Sequence, residues 1–258
     1  MVLLATTLIF QRSFADGEGK LDWVIASRDW VGGAPTDPSD SWMIGFGGRI
    51  YDNWYEALNS SVLPTRKHSA YPANGKFDGA ETWRCKECHG WDYKGKDGAY
   101  GSGVHFTGIP GLRQLAGSNP KYIVKFLRSE AHGYTKDMLP DAAVKAVALF
   151  LARGQHDTDL YIDKKTGNVD GDPKRGRELF QNICAACHGF NGKAINFAEG
   201  EDEEGPVEYI GTIANNNPWE ALHKILNGQP GEPMPAMRVV QFKDAIDILA
   251  YAQGLPVK

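Results

Sequence analysis

Apolar residues recur at helical spacing in several separate stretches of this chain, which predicts an all-α fold. The first helix is expected to begin around Ser41. Its apolar residues share one face: Gly47, Ile50, Tyr51, Trp54 and Leu58. Residues 16–40 before it show no sustained periodicity, so they are interpreted as an irregular N-terminal arm.

Proline after asparagine or aspartate marks the start of three later helices. Asn119-Pro120, Asp172-Pro173 and Asn217-Pro218 each offer a capping side chain followed by proline at the first helical position. The apolar face of the first of these helices is expected to comprise Tyr122, Ile123, Phe126 and Leu127. Each is therefore predicted to be a short amphipathic helix.

Two further helices are predicted to end at glycine. Asp141 starts one that stops at Gly154, and the other stops at Gly254. The apolar residues of the second are Ala245, Ile246, Leu249 and Ala250. Residues 155–171 between the two halves are polar and are interpreted as a linker.

All four cysteines of the chain lie in two CxxCH segments, Cys85 to His89 and Cys184 to His188. In such a segment the thiols are one helical turn apart, so both can add to the vinyl groups of one haem while the histidine binds the iron. A zinc site would need both cysteine pairs to converge on one metal and would leave the histidines unexplained. The segments therefore predict two covalently bound haem c groups.

The two halves repeat one pattern. From haem histidine to capping asparagine the separations are 119 − 89 = 30 and 217 − 188 = 29 residues, and from histidine to a methionine they are 138 − 89 = 49 and 234 − 188 = 46. The first copy has extra residues before its first cysteine, an insertion at about 59–84. The expected division is 1–15 signal peptide, 16–154 arm plus first domain, 155–171 linker and 172–258 second domain.

Each half resembles a class I cytochrome c domain, and the whole resembles a dihaem cytochrome c of the bacterial periplasm. The resemblance covers roughly residues 41–154 and 172–256. It implies two tandem all-α domains, each wrapped around a covalent haem. It also implies that the first and last helices of each domain cross closely at a glycine, Gly47 in one and Gly176 in the other.

The resemblance implies the axial ligands as well. His89 and His188 would be the proximal ligands. For the second haem the distal ligand would be Met234, in a Met-Pro loop before the last helix, with Met237 as competitor and apolar gap filler. For the first haem Met138 occupies the same place, and His132 in the same loop is the alternative. The other histidines are interpreted as surface or hydrogen-bonded residues: His68, His105, His156 and His223.

Net charge, the N-terminal sequence and the covalent haem bear on the cellular compartment and on the kind of partner. The formal net charge of −4 does not suggest a nucleic-acid partner. The apolar run from Met1 to Phe10 followed by Ser13-Phe14-Ala15 predicts a signal peptide, and no transmembrane span is expected. Covalent haem, through the resemblance, implies a periplasmic, exported protein. The acidic run from Glu199 to Glu204 is interpreted as a solvated loop.

These observations favour an electron-transfer protein with no catalytic residue. It would pass single electrons between redox partner proteins, as a shuttle or as a subunit of a larger oxidoreductase complex. The alternative is a dihaem enzyme that acts on a small molecule at the first haem, like a peroxidase or a sulfur-compound dehydrogenase. The arm and the insertion keep this alternative open, because a simple shuttle needs neither.

Overall fold

The computed structural model describes residues 34–35, 37–198 and 206–258. Within these ranges the chain forms helices joined by loops, and it contains no β-strand. The all-α prediction is confirmed. The predicted signal peptide, most of the arm and the acidic run from Glu199 to Glu204 lie outside the described residues. Within the described ranges, no helix combines the length and the apolar character that crossing a membrane requires.

The first half of the described chain contains four α-helices: α1 (Asp40–Ala57), α2 (Cys85–His89), α3 (Pro120–Leu127) and α4 (Asp141–Leu149). The Ser39 hydroxyl caps α1 by accepting a hydrogen bond from the Trp42 amide at 3.2 Å. A π-helical turn, Phe150–Gly154, continues α4 to the predicted glycine stop. Helices α1 and α4 therefore lie close to where the pattern placed them.

The second half contains α5 (Pro173–Leu179), α6 (Ala185–His188), α7 (Ile210–Asn216), α8 (Pro218–Asn227) and α9 (Phe242–Ala252) among the described residues. The predicted caps form, because the side chains of Asn119, Asp172 and Asn217 accept backbone hydrogen bonds at the starts of α3, α5 and α8. Helix α7 was missed. Its β-branched, asparagine and glycine residues favour helix weakly, and tertiary contacts with the C-terminal segment hold it instead.

Two hydrophobic clusters organise these helices. The first core comprises α1, α3, α4 and their neighbours, with fully buried Ile50, Tyr51, Trp54 and Phe150. The second core comprises α5, α8, α9 and their neighbours, with fully buried Phe180, Ile246, Ile248 and Leu249. Within each cluster the earliest helix packs against the last one, α1 on α4 and α5 on α9.

Glycine makes both of these crossings possible. A Cβ built on Gly47 would lie 2.1 Å from the Ala146 carbonyl oxygen, and one built on Gly176 would lie 1.8 Å from the Asp247 carbonyl oxygen. No side chain fits at such separations, so the two backbones touch directly. The structure thus shows the close helix crossing that the resemblance implied in both halves.

Two details differ from the predicted pattern. Tyr122 and Phe126 were expected on the buried face of α3, yet they are exposed, because only the neighbouring ridge of Ile123 and Leu127 reaches the first core. Residues 155–171 were interpreted as a plain linker, yet Ile162 is buried in the second core. This segment therefore packs onto the second half of the molecule.

Candidate haem attachment sites

The first CxxCH segment forms helix α2, which is anchored at its start by Arg84. The Arg84 guanidinium donates to the backbone carbonyl and to the carboxylate of Asp52, both at 2.9 Å. Burial raises the pKa of the Cys85 thiol to about 11 and that of Cys88 to about 12, so both thiols are neutral at pH 7. The helix thus presents two protonated thiols on one short, fixed turn.

His89 at the end of α2 is oriented by a backbone acceptor. Its Nδ1 donates to the Pro110 carbonyl at 2.8 Å, since a carbonyl oxygen can only accept. Burial lowers the pKa of His89 to about 4, so the ring is neutral at pH 7 and Nε2 carries a free lone pair. A neutral imidazole whose other nitrogen bonds a backbone carbonyl is the usual form of a metal-binding histidine.

The second CxxCH segment repeats this local geometry. A π-helical turn, Phe180–Cys184, leads into α6, so no loop separates the two. The glycine after each histidine has a positive φ, +75° at Gly90 and +76° at Gly189. The backbone then turns back in the same way, so that the His89 carbonyl accepts from Gly95 and the His188 carbonyl from Ala194.

His188, the histidine of the second CxxCH segment, is also buried. Only 9% of the residue is exposed, and its Nδ1 has no hydrogen-bond partner among the residues that the structure describes. Burial lowers its pKa, so its ring is held toward the neutral form. The side chains of both CxxCH segments therefore fit covalent haem, with two thiols for the thioethers and a neutral imidazole for the iron.

The candidates for the distal position in the first half differ in their surroundings. Met138 is 7% exposed and belongs to the first core. His132 is half-buried and faces His89, with 6.3 Å between the ring centres and 31° between the ring planes. The Nδ1 of His132 is buried and has no hydrogen-bond partner within the described ranges.

In the second half, the two candidate methionines, Met234 and Met237, also differ in their surroundings. Met237 is 7% exposed and lies in the second core, where it fills space among apolar side chains. Met234 is half-buried outside that core, and its carbonyl accepts a hydrogen bond from Arg49 of α1. The segment that carries Met234 is therefore held by a residue from the first half of the chain.

Residues 171–251 match the model of the family described as cytochrome c oxidase, cbb3-type, subunit III. Over 136 residues, 49% of this chain, the sequence is 29% identical to the cytochrome bc1 complex cytochrome c subunits of Mycobacterium bovis and Mycobacterium tuberculosis. These matches support a c-type cytochrome with covalently bound haem c. The match covers 45% of each relative, so the chain spans about half the length of the curated relatives it matches.

Sequence reasoning missed the polar contacts that join the two halves of the chain. His223 of α8 is 1% exposed, and its Nε2 donates to the Gly48 carbonyl of α1 at 2.8 Å. Its Nδ1 therefore accepts, and the Tyr93 hydroxyl donates to it at 2.7 Å. Burial lowers the pKa of His223 to about 4, so this neutral arrangement holds at pH 7. The prediction of a hydrogen-bonded His223 is confirmed.

A buried charge cluster lies beside His223. The Asp52 carboxylate is fully buried between Arg84 of the first half and Lys224 of the second. Burial alone would raise the pKa of Asp52, but the attraction of Lys224 and Arg84 outweighs it and holds the pKa well below its ordinary value. Neither periodicity nor a local motif predicts the contact between Asp52 and Lys224, because the two residues are 172 positions apart in the chain.

Proposed function

We propose that this chain is a dihaem c-type cytochrome that transfers single electrons, built from two tandem cytochrome c domains: the first lies with the N-terminal arm in 16–154, and the second is 172–258. The observation that carries the proposal is the repeated CxxCH geometry. Both segments end in a histidine whose lowered pKa keeps its ring neutral at pH 7, followed by a glycine of nearly identical φ. Bound haem would supply a one-electron iron couple there.

The chain's own residues hold and orient these groups. Cys85 and Cys88 would hold the first haem through thioethers, and Cys184 and Cys187 the second. The Pro110 carbonyl fixes the ring of His89 and leaves Nε2 free to bind iron. Met234 would be the second ligand of the iron of the second haem, and a residue of the segment between α3 and α4 would be that of the first.

The relatives favour a role in respiratory electron transfer. Those in Mycobacterium are cytochrome c subunits of a cytochrome bc1 complex. By analogy the partners of this chain are redox proteins, either free donors and acceptors or the other subunits of an oxidoreductase complex. The proposed thioether attachment supports a location on the exported, periplasmic side of a membrane.

Counting the haems tests this proposal. The intact full-length protein is expected to carry the mass of two haems and to give the matching absorbance after reduction in alkaline pyridine. Replacing Cys184 and Cys187 by serine should remove one haem, and replacing Cys85 and Cys88 should remove the other. A wild-type protein with one haem, or variants that lose none, would contradict the dihaem proposal.

A further inference from the structure

The separation between His89 and His132 matches that of two histidines that share one metal ion. An imidazole nitrogen binds a metal at about 2 Å and lies roughly 1 Å from its own ring centre, so two such rings have centres roughly 6 Å apart. The observed separation is 6.3 Å. The ring-to-ring distance is therefore the one expected for two imidazoles that bind one metal ion.

The nitrogen atoms of both rings are disposed for this arrangement. Nδ1 of His89 is occupied by the Pro110 carbonyl, which leaves Nε2 for a metal. Nδ1 of His132 is buried without a hydrogen-bond partner in the described parts of the chain. His89 therefore has Nε2 available for a metal, and the His132 ring carries a buried nitrogen that no described residue satisfies.

The insertion at about 59–84 holds His132 in place. His68 in this insertion is buried, and its Nε2 donates to the His132 carbonyl at 3.0 Å. The Trp83 carbonyl accepts from the hydroxyl of Tyr134, two residues beyond His132. The His68 ring in turn packs edge-on against Trp83, with 4.5 Å between the ring centres. The insertion thus fixes the backbone on both sides of His132.

Spacing from the closing helix agrees with this role. Met234 lies 242 − 234 = 8 residues before the start of α9, and His132 lies 141 − 132 = 9 residues before the start of α4. Met138 lies only 141 − 138 = 3 residues before α4, nearer to the 242 − 237 = 5 residues of Met237. Met138 and Met237 also share a place in an apolar core. By position, His132 corresponds to Met234 and Met138 to Met237.

We propose that His132, and not Met138, is the distal ligand of the first haem, which makes that haem bis-histidine ligated. The inference rests on the proposed function, because it requires a haem at Cys85 and Cys88. The second haem keeps histidine and methionine. Because a thioether favours reduced iron, the first haem is expected to have the lower reduction potential, and an electron shared between the two resides on the second.

Substitutions in the full-length holoprotein test this assignment. The haem count is measured first, so that loss of a haem is recognised as failure of the proposed function. With both haems present, ferric wild-type protein should show the weak red charge-transfer band of methionine-ligated haem at half the intensity expected for two such sites. His132→Ala should open one haem to carbon monoxide, and His132→Met should raise the lower of the two potentials.

Met138→Leu is the matched variant, since it keeps an apolar side chain of similar volume in the first core. It should leave both potentials, the red band and carbon monoxide binding unchanged. Should Met138→Leu instead open a haem to carbon monoxide, the assignment to His132 is overturned. The Met138→Leu measurement tests the assignment of His132 even if the His132 variants fail to fold.

Discussion

The histidines of the two CxxCH segments differ in how neighbouring residues hold their rings. His89 and His188 follow the same motif and the same turn, yet only His89 has a described acceptor for Nδ1. The hydrogen bond of a histidine's second nitrogen sets its orientation and its basicity toward a metal. The CxxCH residues could be predicted because the motif is local, whereas Pro110 lies 21 residues from its histidine.

The two methionines of the second half give a prediction at this scale. Met234→Ala is expected to open the second haem to carbon monoxide without loss of covalent haem, because it removes the proposed iron ligand. Met237→Ala should leave that haem closed, and it should lower the free energy of unfolding by roughly 2–5 kcal/mol, as expected for truncating a buried methionine. Ligand titration and thermal unfolding of both variants measure these effects.

The result would be reversed if Met237 were the ligand. Carbon monoxide would then bind to Met237→Ala and not to Met234→Ala. Because the haem count is checked in both variants, a change in ligation is distinguished from loss of the cofactor.

Among the helices, those with a cap or a strong apolar period could be predicted, and those held by tertiary contact could not. The capping side chains of Asn119, Asp172 and Asn217 mark their helices from sequence alone. Helix α7 has no such cap and contains weak helix formers, so its position depends on the C-terminal segment. The exposure of Tyr122 shows that the apolar pattern of α3 predicts a wider buried face than the part of the helix that packs against the core.

The helix crossings give a prediction at the scale of elements. Gly176→Ala is expected to lower the free energy of unfolding by roughly 1–3 kcal/mol or more, because its Cβ would meet backbone atoms of α9 that cannot move aside. Chemical denaturation of the holoprotein measures the change. Gly254→Ala is the control, since a Cβ there has its nearest neighbour at 3.3 Å, beyond the end of α9. Equal losses in the two variants would contradict a crossing that depends on glycine.

At the scale of the whole molecule, α8 packs in the second core and also contacts the first half of the chain. It contributes Leu222 and Leu226 to the second core while His223 and Lys224 reach α1 and Asp52. Motif spacing predicts a two-fold repeat. The contact between the repeats could not be predicted, because it is specific to one orientation of the two halves and has no counterpart within either repeat.

Substitution of Arg49 tests the contact between the two halves of the chain. Burial lowers its pKa to about 10, so it stays charged at pH 7 while it donates to the carbonyls of Asn227 and Met234. Arg49→Met leaves both carbonyls without this donor and should lower the free energy of unfolding by roughly 2–4 kcal/mol. It should also speed carbon monoxide binding at the second haem, although Arg49 belongs to the first half.

Arg175→Met is the matched control, because Arg175 makes exposed ion pairs with Asp244 and Glu178. Surface pairs of this kind stabilise proteins little, so neither unfolding nor ligand binding should change. Flash photolysis of the carbon monoxide complex and denaturant unfolding give the two readouts. An Arg49 variant with unaltered binding kinetics would show that the Met234 segment is held by other contacts.

The placement of Asp52 has a consequence for the order in which the protein matures. During synthesis the first half appears before α8 exists, so Asp52 then has Arg84 but not Lys224, and Tyr93 has no histidine to bond. The nascent first half therefore lacks the contacts of Asp52 with Lys224 and of Tyr93 with His223, and its surface along α1 is completed only when α8 packs against it.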